Sequence, residues 1–246
     1  MNKPIYRYLA NKKWRSMKRQ ILMQRITQMH VVPDVLPTID PTLDIDLIWH
    51  KRVVQPGDFV PSNWSAKAPA LRVQKFDAGN ALVTIVAVDS DVPNVETDGF
   101  DSRCHGVWTD VRLGPDMPDV GKLEGKDIKT VVPWSPPYAQ KGSPYHRISL
   151  FVFEQPQGKS LSEEHIQEIT SQGADSEMWL RGFAEKTGFK PIGVTMFRTQ
   201  WDEYTADVMK RHNIPGADLE FKRKKPERLP AKYQVKDGLR YRGWKK

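Results

Sequence analysis

Three stretches of the chain carry side chains able to handle an anion: Asp89-Ser-Asp91-Val-Pro93, Cys104-His105-Gly106, and Ser135-Pro136-Pro137 followed by Tyr145-His146-Arg147. An imidazole can donate to a phosphate oxygen, and a carboxylate beside it can orient the ring. Gathered at the ends of three neighbouring strands, Asp89, Asp91, His105, Ser135 and His146 would form a small anion pocket. Nothing comparable supports catalysis. There is no Gly-x-Ser-x-Gly elbow, and Cys104 and His105, as sequence neighbours on a strand, point to opposite faces. Walker and dinucleotide motifs are missing, and the His and carboxylate positions lack helical metal-ligand spacing. The sequence therefore reads as a non-enzyme with no cofactor or metal. The plain alternative is that these residues are ordinary polar groups at strand ends.

The elements that must position them are short apolar runs: Ala70 to Val73, Ala81 to Val88, Val107 to Leu113 and Ile148 to Phe153. They are rich in β-branched and aromatic residues and bounded by Pro, Gly, Asp and Asn, which predicts an antiparallel β-sandwich. After Ser160 the pattern turns helical. Ser160 with Glu163 offers an N-cap, Ser176 to Lys186 reads as a helix ending before Gly188, Ile192 to Arg198 as a last strand, and Trp201 to Arg211 as a final helix. Upstream, Asn11 to Met29 predicts one helix with Leu22, Ile26 and Met29 on a single stripe, and the prolines at 33, 37 and 41 predict an extended linker. The expected division is a basic helix and linker over 1–44, a body over 45–210 and a basic extension over 211–246, too polar to fold by itself.

Charge follows that division. Of 38 Lys and Arg, eight lie in residues 1–30 with no acid, and twelve lie in residues 211–246 with four acids; the middle carries eighteen against twenty-six. A mildly acidic body with two basic ends suits a polyanionic partner, nucleic acid above all. The candidate RNA contacts are Lys12, Lys13, Arg15, Lys18, Arg19 and Arg25 on the N-terminal side. On the C-terminal side they are Lys222, Arg223, Lys224, Lys225, Arg228, Arg240, Arg242, Lys245 and Lys246, with Tyr233, Tyr241 and Trp244 able to stack on bases or pack on proteins. With 39% hydrophobic residues there is material for a core, a single cysteine excludes an internal disulfide, and no apolar run is long enough to span a bilayer. A targeting peptide would share the Arg-rich, acid-free start, but Trp14, two tyrosines and a single serine place that segment with the mature protein.

These motifs resemble the phosphatidylethanolamine-binding protein family, whose pocket is built from an Asp-Pro-Asp-Ala-Pro segment, a Trp-His-His strand start and a Gly-Pro-Pro to His-Arg segment. The family's closing Trp-Asp-x-Tyr helix has its counterpart in Trp201-Asp202-Glu-Tyr204. The resemblance covers about residues 45–210 and implies two antiparallel sheets with C-terminal helices. Gly106 stands where the second His would be, Ser135 replaces the pocket glycine, and Ile148 replaces an aromatic residue. The pocket is thus expected to be vestigial, with Asp89, Asp91, His105, Ser135 and His146 kept for structure; a working phospholipid or phosphate site is the alternative. Upstream, Pro4-Ile-Tyr-Arg-Tyr-Leu, Trp14, Leu22-Met-Gln-Arg25 and Pro33-Asp-Val-Leu-Pro37-Thr resemble the segment preceding this fold in the family's mitochondrial large-ribosomal-subunit branch. That branch implies mitochondrial rRNA and neighbouring ribosomal proteins as partners and the mitochondrial matrix as location. It usually carries a longer N-terminal region, so the chain reads as a processed or incomplete form.

Overall fold

The computed structural model describes residues 3–94, 97–123, 128–156, 160–172, 180–222, 234–236 and 239–241. In chain order the elements are helices α1 (Pro4–Ser16), α2 (Lys18–Gln28) and α3 (Val31–Asp34), strands β1 (Leu43–Trp49) and β2 (Arg52–Val54), and helix α4 (Ser62–Ser65). Strands β3 (Ala70–Lys75), β4 (Ala81–Asn94), β5 (Gly99–Leu113), β6 (Asp119–Lys122), β7 (Lys129–Val132) and β8 (His146–Glu154) follow. Helices α5 (Glu163–Gln172) and α6 (Leu180–Thr187), strand β9 (Lys190–Thr199), helix α7 (Thr205–Arg211) and strands β10 (Gln234–Lys236) and β11 (Leu239–Tyr241) complete the chain.

Two antiparallel sheets, ordered β2-β1-β3-β6 and β7-β5-β4-β8-β9, form the body. Their patterns differ because their surroundings differ. In β1 the sequence Leu-Asp-Ile-Asp-Leu-Ile-Trp alternates between buried and half-buried residues, as expected for a strand with one covered face. In β4 and β8 the runs Val83–Asp89 and Ile148–Phe153 are buried at every position, so the larger sheet is covered on both faces. Its inner face (Val83, Ile85, Ala87, Trp108, Ile148, Leu150, Val152) meets Leu43, Ile45, Leu47 and Leu71 of the smaller sheet. Its outer face (Val86, Val88, Val107, Phe151, Phe153, Val194, Met196) is roofed by Leu22, Ile26, Val31, Val35, Leu36 and Ile39 together with Ile169, Leu180 and Phe183.

Packing overrides several sequence expectations. The N-terminal helix starts earlier, at Pro4, and breaks at Met17 (φ −135°, ψ −72°). No Gly or Pro causes the break: it lets Trp14 turn onto Phe76 (ring centroids 5.3 Å) while Leu22 and Ile26 join the outer roof. The proline segment expected to be an extended linker is instead part of the core, because Val31, Val35, Leu36 and Ile39 bury their side chains there. Ser162 rather than Ser160 caps α5, its hydroxyl accepting from the His165 amide at 3.3 Å. Leu180 is the first described residue of α6, and Ser176 lies outside the described residues. The final helix begins at Thr205, after a turn held by Asp202, whose Oδ1 accepts from the Tyr204 amide and the Thr205 hydroxyl. The other Asp202 oxygen accepts from the Ser62 amide at 2.7 Å, tying α7 to α4.

Three residues hold positive φ where the chain turns sharply or is closely approached. Trp49 pairs with Arg52 across a turn of only His50 and Lys51, both with positive φ (48° and 65°). That geometry favours Asn-Gly, and each side-chain-bearing residue in it costs roughly 1–2 kcal/mol. At Gly142 (φ +85°) a Cβ would lie 2.1 Å from the Phe221 carbonyl oxygen, so the C-terminal segment leaves the body pressed on this glycine. The Phe221 amide donates to the Lys141 carbonyl at 2.8 Å. Beyond it, β10 and β11 pair as a hairpin, so the extension is not wholly without structure.

Candidate functional site

The five-stranded sheet assembles the predicted cluster. Asp89 on β4 lies opposite Arg103 of β5 and Ile148 of β8, which places His105 and His146 on either side of it. His146 Nδ1 donates to Asp89 Oδ2 at 2.7 Å, while His105 Nε2 stands 3.8 Å from the same oxygen. A carbonyl can only accept, so the contact of 3.0 Å between His105 Nδ1 and the Ser135 carbonyl requires a proton on Nδ1. The Ser135 amide returns a bond to the His105 carbonyl at 2.8 Å, which fastens the Ser-Pro-Pro segment to β5.

Asp89 and His105 have no exposed surface, and His146 has 3%. Burial pushes the Asp89 carboxyl up, but His105 and His146 together outweigh it and hold it well below the ordinary carboxylate range. The result is a buried carboxylate paired with an imidazole, an arrangement that holds strand ends together.

Gly106 shows why the cluster is closed. A Cβ built there would lie 2.4 Å from the Trp108 indole, which fills the space a side chain at this position would need. Trp108 stacks on Trp134 at 6.2 Å, and Trp134 Nε1 donates to the Ser65 carbonyl at 2.8 Å, so two indoles wall the imidazole side. Of the five predicted pocket residues, Asp91 and His146 line a surface depression of about 240 Å³ with Pro93, Phe100, Pro144, Tyr145 and Arg147. Asp91 is already engaged: it accepts from Arg147 Nε and Nη2 at 2.6–3.0 Å. Arg147 Nη1 reaches the Met29 carbonyl at 2.6 Å and Asp34 at 3.0 Å. The hydrogen bonds from Arg147 to Asp91 raise the guanidinium still further above its ordinary range. Arg147 thus joins the body to the N-terminal segment, a role its place beside His146 in the sequence does not disclose; its partners lie 56 to 118 residues away. Among the described residues no group of three or more His, Cys, Asp or Glu could hold a metal ion.

The family model described as Phosphatidylethanolamine-binding protein matches residues 50–197, well over half of the chain. The chain belongs to the phosphatidylethanolamine-binding protein family. Solved structures give the same fold: a phosphatidylethanolamine-binding protein from Plasmodium vivax (TM-score 0.55, 16% identity, 73% of this chain and 97% of that one), and a carboxypeptidase Y inhibitor bound to its cognate proteinase (0.56, 17%, 75% and 97%). A longer match is to the large ribosomal subunit protein mL38 of Schizosaccharomyces pombe, 26% identical over 234 residues, covering 93% of this chain and 71% of that protein.

The basic residues of the ends are not equivalent. Lys12, Lys13 and Arg15 are exposed on α1, with Arg15 Nε donating to Asn11 at 3.1 Å, and Arg25 is exposed on α2. Lys18 is paired with Asp44 (3.0 Å) and Asp46 (3.3 Å), and Arg19 with Asp40 (2.6 Å), so these two tie the helices to the body. Lys222 is exposed, 4.0 Å from Glu220. Arg240 and Tyr241 fall on β11, and Arg223, Lys224, Lys225, Arg228, Tyr233, Arg242, Trp244, Lys245 and Lys246 lie outside the described residues. Among the described residues no helix is long and apolar enough to cross a membrane.

Proposed function

We propose that this protein is a structural constituent of the large subunit of the mitochondrial ribosome, located in the matrix. Its body would dock neighbouring ribosomal proteins and its basic ends would neutralise rRNA phosphates. The carrying observation is the extent of the match to mL38: it takes in 93% of the chain, whereas the family model stops at residues 50 and 197. The shared sequence therefore includes the N-terminal segment, which a pocket does not need. The closed Asp89–His105–His146 cluster supports the same reading, since a buried, internally paired carboxylate serves the sheet rather than a ligand. Lys12, Lys13, Arg15, Arg25 and Lys222 are the exposed cations offered to phosphate. Lys18 and Arg19 would reach RNA only in addition to their body contacts. On this reading the protein performs no catalysis.

The test is sedimentation of a tagged chain from a gentle mitochondrial lysate through sucrose gradients at low and high salt. Co-migration with the large subunit is expected. A tagged chain found only at the top of the gradient in both salts would overturn the assignment.

One observation favours a second reading, a phosphate-binding regulator: Nε2 of His146 has no hydrogen-bond partner among the described residues, and the residue lines the depression. Titration with a phosphorylated headgroup separates the two. Saturable binding lost in His146→Ala would favour the regulator, and no saturation is expected.

A further inference from the structure

On the opposite side of the sandwich from the N-terminal roof, the β1–β2 turn, α4 and the ends of β3 and β6 enclose a groove of about 730 Å³. Trp64 forms its half-exposed aromatic surface. The His50 ring lies 5.2 Å from the indole at 57°, and the Arg52 guanidinium lies 5.9 Å from it. Lys51, Lys67 and Lys122 complete the rim, and among the described residues no Asp or Glu lines the groove. Neither Arg52 nor any of these lysines makes an ion pair with a described residue, whereas Lys18 and Arg19 do.

We propose that this groove binds a segment of single-stranded RNA, one base stacked on Trp64 and its flanking phosphates held by Lys51, Arg52, Lys67 and Lys122. The inference rests on the ribosomal reading for the presence of RNA, and adds to it a contact on the body, outside both basic ends.

Three features carry it. The body between the basic ends has eighteen cations against twenty-six acids, so four cations gathered at one indole, none ion-paired to a described residue, run against its own charge. A polyanion is the complementary occupant. A half-exposed indole framed by cations accepts an unpaired base through its free π-surface, which a duplex does not offer. A protein partner suits the rim less well, since lysine is depleted at protein interfaces. Finally, the turn sets His50 and Lys51 at φ 48° and 65°, where Asn-Gly would be unstrained, so two groove residues occupy positions that disfavour them.

The experiment is photo-crosslinking of the full chain to a short oligouridylate carrying 4-thiouridine, with the crosslinked peptides mapped by mass spectrometry. Crosslinks are expected at the peptide holding Trp64 as well as at the basic ends. Trp64→Leu should lower the groove crosslink several-fold and leave those at the ends, while Trp64→Phe, which keeps a stacking ring, should retain most of it. Joint replacement of Lys51, Lys67 and Lys122 by Ala should reduce the slope of log affinity against log salt by about 2. Crosslinks confined to the basic ends would overturn the groove and leave the ribosomal reading intact. So would equal yields from Leu and Phe at position 64, or a Trp64 covered by a neighbouring protein in the purified subunit. Loss of crosslinks everywhere, with the chain at the top of the gradient, would remove both.

Discussion

His146 keeps the charge of Asp89 tolerable inside the sheet. The carboxylate has no exposed surface, and its nearest donor is His146 Nδ1 at 2.7 Å. Removing that donor strands a buried charge, and breaking such a pair costs about 3–5 kcal/mol. His146→Ala should therefore unfold at markedly lower urea than the parent at pH 7. The pH dependence has a definite sign. Because the folded Asp89 titrates below its unfolded value, its contribution is present above about pH 4 and is lost as the pH falls toward the depressed folded value. The gap between parent and variant should therefore narrow below pH 4. A constant gap in urea titrations from pH 7 to pH 3 would show that Asp89 is not held as described. The sequence disclosed these residue types and their gathering, since Asp89, His105 and His146 sit at the ends of apolar runs. It did not disclose that Trp108 fills the space beside Gly106, because two residues apart on a strand carry no signal that one fills the other's volume. The partners of Arg147 were hidden for a related reason: they come from β4 and from the N-terminal segment, both far away in sequence.

At the scale of elements, legibility followed burial. The runs Ala81 to Val88 and Ile148 to Phe153 are strands in both sequence and structure, because a doubly covered strand needs continuous apolar residues. The break at Met17 and the buried proline segment were not legible. Helix-forming residues continue through Met17, and only the different surfaces awaiting Trp14 and Leu22 demand two helices. The Trp64 groove escaped for another reason: its cations come from the β1–β2 turn, β2, the bend after α4 and β6, which no local pattern joins. The C-terminal extension poses a sharper test. Gly142 combines a φ of +85° with a carbonyl oxygen 2.1 Å from where a Cβ would stand. Gly142→Ala should detach the segment around Phe221 while leaving the sandwich folded. Hydrogen exchange should then rise several-fold at the Phe221 amide and stay unchanged in β4 and β8. Equal protection in parent and variant would mean that the extension is not anchored there.

The whole molecule is three layers deep, and its central sheet depends on both neighbours. Leu22, Ile26, Val31, Val35, Leu36 and Ile39 cover Val86, Phe151, Phe153 and Met196. A chain lacking residues 1–42 should expose this face, bind a hydrophobic dye and precipitate, whereas a chain ending at residue 222 should stay soluble with near-parental melting. A soluble, cooperatively melting product from the first truncation would show the body to be independent of its roof.

The roof also imposes an order on biosynthesis. Residues 22–39 leave the ribosomal tunnel well before the surface they cover, which is complete only once Met196 has been made, and the Thr42 amide bonds to the Ile192 carbonyl at 2.8 Å. While the residues between these two points are being made, the chain therefore carries an apolar, unpartnered segment, which makes it a natural client for a chaperone acting on nascent chains.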